Sequence, residues 1–202
     1  MRLIGSLTSP FVRFVRVTLA ELCVEHEFEV TGPFGKTSPE HERIINSANP
    51  LMKVPVLDTG DHVIIDSRII VNWLLRHHSS DGRFGADFPE TLARENVLST
   101  IYGVLEAGIL RFIIQMSHPE IDMNAAYMAR SIERVHSGLS ALEHDPDITE
   151  SFGPPEALLV CGLEWMRKRQ VYDWSVHRRL VEIHAQHAER DSLVNTRIPD
   201  KI

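Results

Sequence analysis

The sequence predicts an α/β N-terminal domain over residues 1–78, a linker over 79–88 and an all-α domain over 89–202. Three observations carry that division. Strand and helix patterns alternate through the first third of the chain. The stretch "HHSSDGRFGADFPE" then breaks the pattern with Ser, Gly and Asp. Beyond it strand signals stop and helical periodicity takes over.

Within the first domain, residues 2–7, "RLIGSL", read as a strand. Residues 10–23 read as a helix, with Val12, Val15, Leu19, Leu22 and Cys23 on one apolar stripe. Pro10 suits the first helical turn, where its missing N–H has no partner to lose. "HEFEVT" is a short strand candidate and "SPEHERIINSAN" a short polar helix or irregular segment. "VPVLDTGDHVIID" reads as a hairpin: residues 54–57, a turn over Thr59, Gly60 and Asp61, then residues 63–65. Asp66 and Ser67 cap a third helix with Ile70, Trp73, Leu74 and His77 on one face. In this order the end of the first strand and the starts of the first and third helices gather near one edge.

In the second domain residues 89–117, 123–143, 155–169 and 174–192 read as helices. "EALLVCGLEWM" is apolar around most of its circumference, which predicts the buried central helix of this half.

Composition narrows the function classes. The chain has a formal charge of −7. No basic stripe is visible, which argues against a nucleic-acid partner. Cys23 and Cys161 lie in apolar sequence and read as small core residues without a disulfide framework. The opening "MRLIGSLTSPF" lacks an apolar signal-peptide core, and no uninterrupted apolar run reaches bilayer length. A cytoplasmic protein with no membrane partner is the expectation.

"GSLTSPFVRFVRVTLAEL" and "NPLMKVPVLDTGDHVIIDS", in this order and followed by a helical half, resemble the glutathione transferases. The likeness is greatest to the bacterial serine-type, glutathione-transferase-like proteins. The resemblance implies a thioredoxin-like N-terminal domain, an all-α C-terminal domain and a homodimer. It also implies glutathione as co-substrate, a small hydrophobic electrophile as second substrate and a role in detoxification.

Glutathione presents two carboxylates, an ammonium and a thiol. A free thiol with a pKa near 8.5 is only about 3% ionised at neutral pH. Lowering that pKa by about two units needs about 2.7 kcal/mol of preferential interaction with the anion. Ionisation would rise about 25-fold and intrinsic nucleophilicity fall about 8-fold, so the net gain is roughly threefold. Positioning of the second substrate must supply most of the rate.

Read locally, Ser9 is an N-cap with Pro10 behind it. The resemblance makes its hydroxyl the donor to the thiolate, with Thr8 as the alternative. It implies a cis peptide bond before Pro55, which would present the Val54 backbone to the cysteinyl unit. Lys53 would neutralise the glycyl carboxylate. Ser67 and the first N–H groups of its helix would receive the γ-glutamyl carboxylate, and Asp66 would balance the ammonium. Many relatives have glycine where this chain has Met52, so a positive φ there would strain the methionine and its side chain would narrow the entrance. Phe11 and Tyr102 are candidate walls of a second-substrate pocket.

Neither Thr8 nor Ser9 is a cysteine, which argues against dithiol exchange. Pro10 stands where the isomerase branch of the family carries cysteine; Arg13 and Arg16 remain and read as structural or solvent-facing. His177, His184 and His187 lack an obvious carboxylate or cysteine to complete a metal site, so no metal is expected. In "GPPEALLVCG" Gly153 and Glu156 stand at capping-box spacing with only the Glu half available. Two other functions remain open: a glutathione-dependent lyase or reductase, and a non-catalytic interaction protein on the same fold.

Overall fold

The computed structural model describes residues 1–79, 84–85 and 91–200. Two compact units emerge. The first comprises residues 1–88 together with 190–202, the second residues 89–189.

In the first unit β1 (Arg2–Ser6) is followed by α1 (Pro10–Glu21), β2 (Glu27–Thr31), α2 (Pro39–Ala48), β3 (Val56–Asp58), β4 (Val63–Ile64) and α3 (Ser67–His78). The sheet order is β2-β1-β3-β4, with β1 parallel to β2 and antiparallel to β3, and β4 antiparallel to β3. A parallel β1–β2 pair needs a crossover, and α1 supplies it. This is the α/β arrangement expected of a thioredoxin-like domain.

The apolar stripe of α1 behaves as its spacing predicts: Val12, Val15 and Leu19 are fully buried. Gly5 lets β1 and α1 approach closely, since a Cβ there would lie 2.6 Å from a methyl of Val12. The helix ends in a Schellman motif: Val24 N–H donates to Leu19 O at 2.9 Å and Cys23 N–H to Ala20 O at 3.1 Å. That motif requires a left-handed residue, and Cys23 takes it with φ 53. Cys23 is therefore exposed rather than a core residue, while Cys161 is buried as expected. On α3, Ile70 and Leu74 are buried, but His77 is exposed and stacks on Trp73 at 4.4 Å.

The hairpin is shorter than its sequence pattern. Val54 and Pro55 lie outside the ladder, because proline offers no N–H to a strand partner. Gly60, with φ 91, makes the turn between β3 and β4.

The second unit contains α4 (Leu92–Ser117), α5 (Ala126–His144), α6 (Pro154–Arg169), a 3-10 turn (Trp174–Val176) and α7 (Arg178–His187). Residues 155–166 of α6 are all buried except Glu164, as expected of a central helix. By length and mean hydropathy α4 would suffice to cross a bilayer, although Glu106 and Arg111 interrupt its apolar run. Its Val97, Leu98, Ile101, Val104 and Leu105 are instead buried, and α4 packs on α5 and α6.

The starts of α4 and α6 are joined by a buried ion pair. Arg94 donates to both oxygens of Glu156, at 3.2 and 3.0 Å, and Glu156 is 0% exposed. Glu156 also accepts from Gly153 N–H at 3.1 Å and Thr149 N–H at 3.0 Å. Gly153 has no side chain, so the Glu half of the capping box is present and the other half is not. A Cβ on Gly153 would come within 3.1 Å of the Arg94 guanidinium, which occupies the space a capping side chain would need.

The expected single helix over 174–192 is broken. The 3-10 turn stops at His177, α7 ends at His187, and a short α8 (Asp191–Val194) follows in the first unit. Residues 190–202 group with the first unit. Arg13, 1% exposed, donates to Leu193 O at 3.1 Å; Arg16 reaches Thr196 O at 3.5 Å and lies over the Phe28 ring. Glu21 accepts from Arg190 at 2.8 Å and from the Ser192 hydroxyl. These contacts tie residues 190–197 to α1. Most of the expected linker, 79–88, lies outside the described residues.

Candidate functional site

The end of β1 and the loop to α1 carry three hydroxyls, those of Ser6, Thr8 and Ser9. Ser9 is the N-cap of α1, its Oγ accepting from Val12 N–H at 3.3 Å, with Pro10 at the first helical position. Capping uses a lone pair and leaves the Ser9 proton available to an anion, so the cap and the donor role are chemically compatible. Thr8 is half-buried, and its Oγ1 lies 3.0 Å from Ser6 Oγ. Ser6 Oγ also accepts from Thr8 N–H at 3.3 Å. At the start of a helix the unpaired N–H groups and the peptide dipoles favour a nearby negative charge.

The second element is the segment from Asn49 to Pro55. Its Val54–Pro55 peptide bond is cis. Asn49, 3% exposed, braces the loop from inside: Nδ2 donates to Lys53 O at 2.7 Å and Oδ1 accepts from Leu51 N–H at 2.9 Å. Lys53 is exposed, as a carboxylate partner for a solvent-borne ligand must be. Met52 has φ 54 and is 69% exposed. The left-handed conformation costs a side-chain-bearing residue about 1–2 kcal/mol, partly offset by the entropy glycine would lose on folding. Met52→Gly should therefore stabilise the protein by about 0.5 kcal/mol, read as a higher urea midpoint at unchanged slope. A lower midpoint would show that the methionine makes compensating contacts.

The third element is the start of α3. Asp66 caps it, with Oδ1 accepting from Arg68 N–H at 2.9 Å and Ile69 N–H at 3.3 Å. Asp66 thus occupies two of the N–H groups that the sequence reading offered to a ligand carboxylate. The exposed Asp66 carboxylate keeps its second oxygen for a cation, and Ser67, buried, follows it as the first residue of the helix.

Phe11 lies half-buried on α1 of the first unit and Tyr102 half-buried on α4 of the second. Two residues that bear on the site were not singled out from sequence. Ser6 reads there as part of a strand, and Asn49 as the end of a helix. The Asn49-Pro50 pair is a turn signal that points to the latter.

Elsewhere, His177 bridges Glu143, at 2.9 Å, and the Tyr172 hydroxyl, at 3.1 Å. The hydrogen bond from His177 is the main cause holding the Glu143 carboxyl below its ordinary value. Burial, then the charges of Asp173 and Glu143, push the Tyr172 phenol up, which makes it a poor proton donor. His184 pairs with Glu164 at 3.1 Å, and the His187 ring lies 5.0 Å from that of Phe152. Among the described residues no group of three or more His, Cys, Asp or Glu is placed to hold a metal ion.

A thioredoxin-like α/β unit with a cis proline after its second helix, joined to an all-helical unit, is the architecture of the glutathione transferases. Residues 3–82 match the family model for the glutathione S-transferase N-terminal domain. The first unit thus carries a glutathione S-transferase N-terminal domain, and the chain as a whole is similar to glutathione transferases. Over 206 aligned residues it is 26% identical to an uncharacterized GST-like protein, YibF, of Escherichia coli K12. That alignment covers 98% of this chain and 99% of its relative. A glutathione S-transferase of Methylobacillus flagellatus, solved with glutathione bound, has a TM-score of 0.85 at 26% identity, covering 98% of this chain and 99% of its own. A glutathione transferase family member from Pseudomonas fluorescens Pf-5, with bound glutathione, superposes with a TM-score of 0.84 at 23% identity. It covers 98% of each chain and shares the fold.

Proposed function

We propose that the protein binds glutathione on its first unit and adds the thiolate to a small hydrophobic electrophile. The observation that carries this reading is the whole-length likeness to the Methylobacillus transferase whose structure contains glutathione. The local geometry supports it. Hydroxyls of Ser9 and Thr8 sit at the start of α1, where they would donate to the sulfur. The Val54 backbone before the cis bond would pair with the cysteinyl unit, and Lys53 would meet the glycyl carboxylate. Ser67 would receive the γ-glutamyl carboxylate, leaving Asp66 for the ammonium. The thiolate then attacks the electrophile, and the protein's own contribution is to hold the anion and orient the two reactants.

The test is calorimetric titration with glutathione, followed by turnover against a panel of electrophiles. Ser67→Ala should weaken glutathione binding by about tenfold, the effect of one charge-assisted hydrogen bond. Ser9→Ala should cost about 1 kcal/mol of stability through the lost cap. The same change should lower kcat by about threefold at neutral pH, the net gain of the thiolate contact, and should leave most of the glutathione affinity in place. Absence of glutathione binding in the unsubstituted protein would overturn this reading in favour of a non-catalytic interaction protein on the same fold.

A further inference from the structure

We propose that Ser6 is a positioning residue that orients and polarises the Thr8 hydroxyl toward the bound sulfur, so that Thr8 acts as a second thiolate donor beside Ser9. The inference rests on the glutathione reading above.

The argument follows one proton at a time. Ser6 closes β1 and is 5% exposed, so its hydroxyl proton needs a partner within the protein. One lone pair of Ser6 Oγ already accepts the Thr8 N–H, at 3.3 Å. Among the described residues, the side-chain oxygen within reach of the Ser6 proton is Thr8 Oγ1, at 3.0 Å. Ser6 O–H therefore donates to Thr8 Oγ1. Thr8 is left with its own proton unspent, on a half-buried side chain one residue from the helix start.

The reverse arrangement, with Thr8 donating to Ser6, would leave the buried Ser6 proton without an acceptor, and an unmet buried donor is costly. The backbone supports the same geometry. Ser9 N–H donates to Ser6 O at 3.2 Å, so Ser6 holds the turn through its carbonyl and the Thr8 hydroxyl through its side chain. A hydroxyl that accepts one hydrogen bond becomes a better donor of the next, by about 10–30% of the bond's strength. A chain from Ser6 through Thr8 to sulfur would thus favour the thiolate over the thiol.

The experiment titrates the ultraviolet absorbance of bound glutathione thiolate against pH in the unsubstituted protein, Ser6→Ala, Ser6→Thr, Thr8→Val and the double variant. Ser6→Ala should lower the bound thiolate-to-thiol ratio about two- to fourfold. Thr8→Val should lower it further, the double variant should match Thr8→Val alone, and Ser6→Thr should restore the original profile. Binding of S-methylglutathione, which has no thiol proton to lose, separates positioning from a merely structural role. It should be unchanged in Ser6→Ala, and a parallel loss there would overturn the proposal. A profile unaltered by Ser6→Ala would overturn the role of Ser6 while leaving the glutathione reading intact. Failure of the unsubstituted protein to bind glutathione or hold it as thiolate would overturn both.

Discussion

Replacing Glu156 with alanine is expected to cost about 3–5 kcal/mol of stability, the penalty for stranding one partner of a buried ion pair. For a chain of this size that corresponds to a fall in Tm of roughly 6–20 °C. The reason is local to the second unit. Glu156 is 0% exposed and accepts from Arg94, Gly153 N–H and Thr149 N–H, so its loss leaves several buried donors unmet. Arg94 also donates to Asp147 O at 2.8 Å and would keep that bond while losing both oxygens of Glu156. Arg94→Met should be similarly damaging. Combining it with Glu156→Leu should cost less than the sum of the single changes, because the second change removes what the first left stranded. Thermal and urea unfolding of the unsubstituted protein, Glu156→Ala, Glu156→Leu, Arg94→Met and the double variant measures this. A cost below about 1 kcal/mol for Glu156→Ala would show that water and loop movement satisfy the donors instead.

Asn49→Ala is the second large effect, and it should strike stability and ligand affinity together. Its amide makes two hydrogen bonds to the backbone of the loop that carries Lys53 and Val54. Each is worth about 1 kcal/mol net, and leaving their buried ends unmet adds to the cost, so the loss should reach about 2–3 kcal/mol. A loosened loop must also be reordered when ligand binds. Glutathione affinity should accordingly fall about tenfold, equivalent to about 1.4 kcal/mol, as measured by calorimetry. Asn49→Asp keeps the acceptor for Leu51 N–H but replaces the donor to Lys53 O with a charge, and should bind no better than the alanine variant. Unchanged affinity in a folded Asn49→Ala protein would show that the loop is held by other contacts.

What could be read from the sequence was mostly what depends on neighbours in the chain. The first three residues of the α1 stripe, the cap at Ser9 and the run of apolar residues in α6 are local patterns, and they sit where their spacing puts them, whereas Cys23 leaves the stripe at the helix end. The helix starts at Ser9 and Asp66 were legible because each places a capping side chain before a helical run, whereas the cis bond before Pro55 was expected from the family resemblance alone. Arg94 and Glu156 lie 62 residues apart, and nothing in either neighbourhood announces the pair. The same holds for Arg13 and the Leu193 carbonyl, 180 residues apart. The break between α7 and α8 lacks glycine and proline; it follows from the pull of α1 on the tail, which helical periodicity cannot express. Asn49 and Ser6 act through side-chain bonds to backbone or hydroxyl groups whose positions depend on the folded loop.

The return of residues 190–197 to α1 sets an order on biosynthesis. At about 5–20 residues per second a ribosome needs roughly 5–20 s to make the segment between the two pieces of the first unit. During that interval α1 lacks the chain that will cover Arg13 and receive its hydrogen bond. The helix capped by Ser9 is therefore completed by residues translated only after the whole second unit. The nascent N-terminal unit must wait until the helical unit has been made.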